Sequence, residues 1–93
     1  MSENKTKLAI IIPCFNEELV VESTVKTLLN VLDKIIAKGK ISEDSYIYLV
    51  DDGSKDKTWG IIENLHQIYG ARVKGTKFIR NYGNQKALIA GLL

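Results

Sequence analysis

The sequence predicts an α/β fold built on a parallel, Rossmann-like sheet in the order βαβαβα. Three observations predict it. Residues 8–12 form a continuous apolar run rich in β-branched side chains, the pattern of a buried strand. Two amphipathic stripes follow, each with apolar residues three or four apart. Strand-like and helix-like segments alternate, with turn residues at each junction, so right-handed crossovers between parallel strands are expected.

The first strand stops at Pro13, which cannot donate to a ladder. So apolar a strand is expected to be covered on both faces. Asn16 is a suitable N-cap, and Glu17 and Glu18 suit the positive end of the helix dipole. The first helix carries Val21, Val25, Leu28, Leu32 and Ile35 on its inner stripe. It should end near Lys38, with Gly39 beyond it; lysines 34, 38 and 40 suit its negative end. The second strand covers about 46–50. Ser54 or Asp56 can cap a second helix over 58–69, with Trp59, Ile62, Leu65 and Ile68 or Tyr69 inside and Gly70 as its stop. A third strand spans 73–79, interrupted by Gly75. Residues 81–84 read as a turn, and a third helix is expected from Gln85 to Leu93. In the order 3-2-1 the outer edge of strand one is bare, so self-association through that open sheet edge is expected. Residues 1–7 read as a polar tail, and 8–93 as part of a larger domain.

Composition narrows the field. The chain has 93 residues, 45% of them hydrophobic and 26% charged, enough for one small globular domain. The net charge is only +2 and the basic residues are scattered, which argues against nucleic acid. Cys14 is the single cysteine, so no internal disulfide can form. The apolar run before Pro13 is too short to span a bilayer. No G-x-G-x-x-G or G-x-x-x-x-G-K-[ST] motif is present. His66 is the only histidine, and no cluster has zinc-like spacing.

What remains is a pair of strand ends. In open α/β sheets ligands bind at the carboxyl ends of the strands. Pro13 to Glu17 follows strand one; Asp51, Asp52, Gly53 and Ser54 follow strand two. A planar base could lie on Phe15, and its edge N–H or a ribose hydroxyl could reach Asp52. Glu17 could accept from a second hydroxyl. Acceptors without a glycine-rich loop suit a nucleoside better than a phosphate. Each residue also has a plainer reading. Asp51 and Asp52 can be turn residues, Glu17 a dipole residue, Phe15 core, Asn16 a cap and His66 a surface or boundary residue. Arg80 and Lys86 can meet a diphosphate or simply be solvated.

The run Ile11-Ile12-Pro13-Cys14-Phe15-Asn16-Glu17-Glu18, followed by Val50-Asp51-Asp52-Gly53-Ser54 with Asp56 and Thr58, resembles the start of a family 2 glycosyltransferase of the GT-A fold. The segment Phe78-Ile79-Arg80-Asn81-Tyr82-Gly83-Asn84-Gln85-Lys86-Ala87-Leu88 is similar to the branch that acts on polyprenyl phosphates, which includes dolichol-phosphate mannose synthase and bactoprenol glucosyltransferases. The resemblance runs from about residue 8 to 93. It implies an inverting transferase that moves a sugar from a nucleotide-sugar donor, UDP-glucose-like, to a polyprenyl-phosphate or other glycan acceptor at the cytoplasmic face of a membrane. By the same resemblance Pro13, Phe15, Glu17, Val50 and Asp52 line the nucleoside pocket, with Phe15 where a tyrosine is more usual. A divalent metal (Mg or Mn) is expected only with a D-x-D motif, which these residues lack, and no catalytic residue is expected among them. Two other readings are a non-catalytic α/β fragment and a receiver-like regulatory domain; the latter needs a phosphoacceptor aspartate on a later strand, absent after residue 79.

Overall fold

The computed structural model describes residues 5–80 and 87–92, with side chains described for 5–78. Its elements are β1 (Ala9–Cys14), α1 (Val21–Ala37), β2 (Tyr46–Asp51), α2 (Thr58–Tyr69), a 3-10 turn (Gly70–Arg72), β3 (Val73–Arg80) and β4 (Ala87–Leu92). They build one sheet in the order β1-β2-β3-β4. The first three strands are parallel, and β4 runs antiparallel to β3. The fold class is therefore α/β on a parallel three-stranded core, as the strand–helix alternation predicts.

Register decides which side chains share a face. Ile10 lies opposite Ile47, Ile12 opposite Leu49 and Cys14 opposite Asp51. Val73 and Gly75 continue the first two rows on β3. This face meets the helices. From α1 it receives Val21, Val25, Leu29 and Leu32, and from α2 Thr58, Ile62 and Leu65. The two helices also touch each other, so both cover the same side. Each fully buried aliphatic side chain contributes about 1.5–3 kcal/mol, and these rows form one continuous cluster.

The opposite face carries Ala9, Ile11 and Pro13 beside Tyr46, Tyr48 and Val50. Here the sequence expectation is corrected. β1 is not covered twice: its residues alternate between exposed and sheltered, and Ile11 is 66% exposed. An apolar run has no alternation of its own to reveal which side is covered.

Two further expectations change, at the start of α1 and at Gly75, and the helix stripes are refined. Helix α1 begins at Val21, not after Asn16, and has no side-chain cap. Its inner stripe includes the buried Leu29 as well as Leu28, which packs at the edge of the core. Of the two residues expected at the end of the α2 stripe, Tyr69 packs against the core and Ile68 is 62% exposed. Gly75 does not interrupt β3, which runs unbroken past it. A Cβ at Gly75 would stand 2.8 Å from Ile62 Cγ2 and 3.2 Å from Leu49 O, so glycine is there to let α2 approach the sheet.

The largest departure is at the far end. The predicted third helix is replaced over 87–92 by β4, which pairs from Arg80↔Ala87 to Gly75↔Leu92. Ala87-Leu88-Ile89-Ala90-Gly91-Leu92 is almost wholly apolar, and such a run fits a helix or a strand equally by periodicity. The outer edge of β3 offers unpaired backbone groups, and pairing satisfies them. Residues 81–86, with the predicted turn at 81–84, and residue 93 lie outside the described residues.

Candidate functional site

The loops after β1 and β2 emerge side by side at the carboxyl ends of the parallel strands. The Asp52 N–H donates to the Cys14 carbonyl at 2.9 Å, extending the ladder one residue past β2. Polar side chains then stitch the loops together. The Asn16 N–H donates to Ser54 Oγ at 2.8 Å, and Asn16 Oδ1 accepts from the Lys55 N–H at 2.9 Å. The Glu17 N–H donates to Thr58 Oγ1 at 2.8 Å. The Glu18 N–H donates to Asp56 Oδ2 at 3.2 Å.

The adjacent carboxylates have separate environments. Asp51 is fully buried, and its Oδ1 accepts the Ser54 N–H at 2.9 Å. Its Oδ2 has no hydrogen-bond partner among the described residues. This makes Asp51 the inner support of the turn, whose reversal passes through Gly53 at φ 79°, a left-handed conformation that favours glycine. Asp52 is exposed at the loop surface.

Asp56 closes the second loop. Its Oδ1 accepts from the Thr58 N–H at 2.9 Å and from Thr58 Oγ1 at 2.5 Å. Partial desolvation works against its charge, but the bonds from the Thr58 hydroxyl and N–H and from the Glu18 N–H outweigh it and hold the carboxyl below its usual value. The expected cap is therefore corrected: Lys57 holds the N-cap position of α2 and no side chain caps it, while Asp56 bonds Thr58 in the first turn and Ser54 serves the other loop. Cys14 is buried. Burial first, then the charges of Glu17 and Asp51, push its thiol up to about 11, so it stays protonated and unreactive near neutral pH.

The predicted nucleoside residues occupy one end of the sheet. Pro13 and Val50 are direct register partners on the face turned away from the helices. Phe15 and Asp52 each lie two residues further along the same two chains. Phe15 is 55% exposed, so it is not core. Glu17 is half-buried; its carbonyl accepts from the Val20 and Val21 N–H groups at 3.0 and 2.9 Å, which places it at the turn leading into α1 and not within the helix. Pro13 and Val50 thus pair at the strand ends, and Phe15, Asp52 and Glu17 lie on the two loops that leave them.

Asn16 is the main correction at the site. It caps no helix; it lies at φ 49° and bridges to the second loop. His66 is half-buried and paired through Nδ1 with the Val73 carbonyl at 2.6 Å, a structural contact remote from the strand ends. Arg80 closes β3; Lys86 is outside the described residues. The linking roles of Asn16, Ser54, Asp56 and Thr58 were not apparent in the sequence, since each partner lies about forty positions away. The one signal was a concentration of short polar side chains on both loops.

Among the described residues no three His, Cys, Asp or Glu side chains gather as a metal site would need. No helix among them is long and apolar enough to cross a membrane.

Comparison with known proteins converges on one family. Residues 9–93 match glycosyl transferase family 2. The chain is 47% identical over 92 residues to the uncharacterized glycosyltransferase YkoT of Bacillus subtilis, covering 99% of this chain and 27% of that protein. It is 37% identical over 84 residues to YkcC of the same organism, covering 90% of this chain and 24% of YkcC. It is also 36% identical over 93 residues to the undecaprenyl-phosphate 4-deoxy-4-formamido-L-arabinose transferase of Edwardsiella ictaluri, covering 98% of this chain and 27% of that enzyme. The chain spans about a quarter of the length of these curated relatives.

Proposed function

This chain belongs to glycosyl transferase family 2, and from that membership we propose that it forms the nucleoside-binding part of a transferase that moves a sugar from a nucleotide-sugar donor to a polyprenyl phosphate. The observation that carries the reading is the pairing of Pro13 with Val50, with Phe15 and Asp52 following on the same chains. It is supported by a relative named as an undecaprenyl-phosphate 4-deoxy-4-formamido-L-arabinose transferase.

Each residue has a distinct part. Phe15 offers an exposed ring on which a base can stack. Pro13 and Val50 supply the apolar floor. Asp52 accepts from the base edge or a ribose hydroxyl, and Glu17 accepts from a second hydroxyl. Bonds from a ligand to ionised acceptors contribute about 1.5–3 kcal/mol each. The donor assigned here is UDP-glucose-like. In the reaction an acceptor phosphate oxygen attacks the anomeric carbon and forms a new C–O bond. The bond from that carbon to the diphosphate breaks, the nucleoside diphosphate leaves with the electron pair, and the configuration inverts. The chain's own residues bind and orient the nucleoside. The sequence holds no D-x-D, and no metal-ligand cluster forms among the described residues; a divalent metal would need a D-x-D to hold it and would offset the charge of the leaving diphosphate. A polyprenyl acceptor places the reaction at a membrane surface, assigned here to the cytoplasmic face.

Titration with UDP-glucose, GDP-mannose and CDP-glucose tests the reading. Binding of one donor is expected, and Asp52→Ala should weaken it by about tenfold or more, the equivalent of one charge-assisted hydrogen bond. Equal affinity in the wild type and the variant would overturn the site.

A further inference from the structure

We infer that Asn16 is a positioning residue: it locks the loop that carries Phe15 and Glu17 to the loop that carries Asp52, and so preorganises the nucleoside pocket. The inference rests on the binding reading above and adds a residue that touches no ligand.

Three observations carry it. Asn16 is the one non-glycine residue with positive φ among the described residues, at 49°. Asparagine tolerates this conformation better than most residues, because its short amide can bond locally. Here that amide does not bond locally. Its Oδ1 crosses to the Lys55 N–H at 2.9 Å, while its own N–H crosses to Ser54 Oγ at 2.8 Å. Asn16 is therefore held by both a backbone and a side-chain group, each reaching a residue at least 38 positions away.

The location of these bonds is the second part of the argument. Asn16 lies between Phe15 and Glu17, and Ser54 lies two residues after Asp52. The contact thus ties the backbone that carries Phe15 to the backbone that carries Asp52. A second attachment, from the Glu17 N–H to Thr58 and the Glu18 N–H to Asp56, prevents rotation about the first. Two attachments make the loops one body. The third part is the turn beneath: Ser54, which receives the Asn16 N–H, is itself held by the buried Asp51. The chain of contacts runs from the buried Asp51 through Ser54 to Asn16. A pocket held in its bound shape spares the ligand the cost of ordering it.

The test is a titration of uridine, UMP and UDP-glucose against the whole chain and its Asn16 variants. Asn16→Ala loses the bridging oxygen and disfavours the positive φ. Affinity should fall about three- to tenfold, by the same factor for all three ligands, as expected for loss of about one hydrogen bond's worth of preorganisation. Asn16→Gly keeps the φ but not the bridge and should also weaken all three. Asn16→Asp keeps both the acceptor and the tolerance for this conformation and should restore affinity to within about twofold of wild type. Thermal unfolding of each variant separates folding from positioning, because the expected loss appears at temperatures where the variant is fully folded. Wild-type affinity in Asn16→Ala and Asn16→Gly overturns the inference alone. So does a loss that merely tracks the unfolded fraction. Failure of the wild type to bind uridine, UMP or any nucleotide sugar overturns the function reading and the inference with it.

Discussion

At the scale of single residues, the carboxylates sort by environment rather than by type. Asp51 is buried under its turn, Asp52 is exposed, and Asp56 accepts hydrogen bonds from Thr58 and from Glu18 of the neighbouring loop. Asp56 makes a pH-dependent contribution whose sign follows from its depressed carboxyl. The unfolded group titrates near 3.8, and the folded one lower. Its stabilising contribution is complete above the unfolded value and is lost as pH falls through the folded one. Thermal midpoints measured from about pH 5 down to 2 should therefore drop less steeply in Asp56→Asn than in the wild type. Parallel curves would show that the Thr58 and Glu18 bonds do not favour the ionised form.

At the scale of elements, close approach decides the architecture. Helix α2 descends onto β3 at Gly75, where Ile62 fills the space a side chain would take. Gly75→Val should cost about 1–3 kcal/mol through overpacking, read as a lower urea midpoint with an unchanged slope. Replacing Gly60, which has no neighbour within 4 Å of an added Cβ, with alanine should be neutral or stabilising by up to about 1 kcal/mol, as glycine is a poor helix former. If the two substitutions behave alike, the account of Gly75 is wrong. On the sheet, Tyr48 and Thr76 pair through their hydroxyls, and Arg72 pairs with Asp33 of α1. The latter pair is partly exposed, so it should add little to stability.

At the scale of the whole molecule, the sheet is asymmetric. Both helices cover one face, and among the described residues β1 has a strand neighbour on one side only. The Leu8 and Cys14 carbonyls accept from β2, so by the alternation of a parallel ladder the backbone groups of Ala9, Ile11 and Pro13 point to the outer edge. Pro13 has no N–H to leave unpaired there, which suits an edge position. Open edges with exposed apolar side chains invite pairing with another chain. Sedimentation of the 93-residue chain should therefore show concentration-dependent self-association, and Ile11→Lys should reduce it. A monomer at all concentrations would show that the edge is protected.

The order of strands and helices as far as β3 was legible in the sequence, because periodicity and punctuation are local. Thr58–Tyr69 appears where its apolar spacing places it, and β2 and β3 start at the predicted residues. The candidate site was legible as two loops, since Pro13, Phe15, Glu17, Val50 and Asp52 belong to motifs at strand ends. Three matters needed tertiary structure. Which face of β1 is covered depends on where α1 and α2 pack, and a uniformly apolar strand does not encode it. Whether residues 87–92 coil or extend depends on the free edge of β3, a partner that local spacing does not represent. The role of Asn16 depends on Ser54 and Lys55, distant in sequence and adjacent only once two parallel strands are in register. The sequence by itself determined the elements as far as β3 and the residue types available for chemistry; the tertiary structure decided the form of the last element and which residues meet, because edge pairing and hydrogen bonds between loops exist only after the sheet has formed.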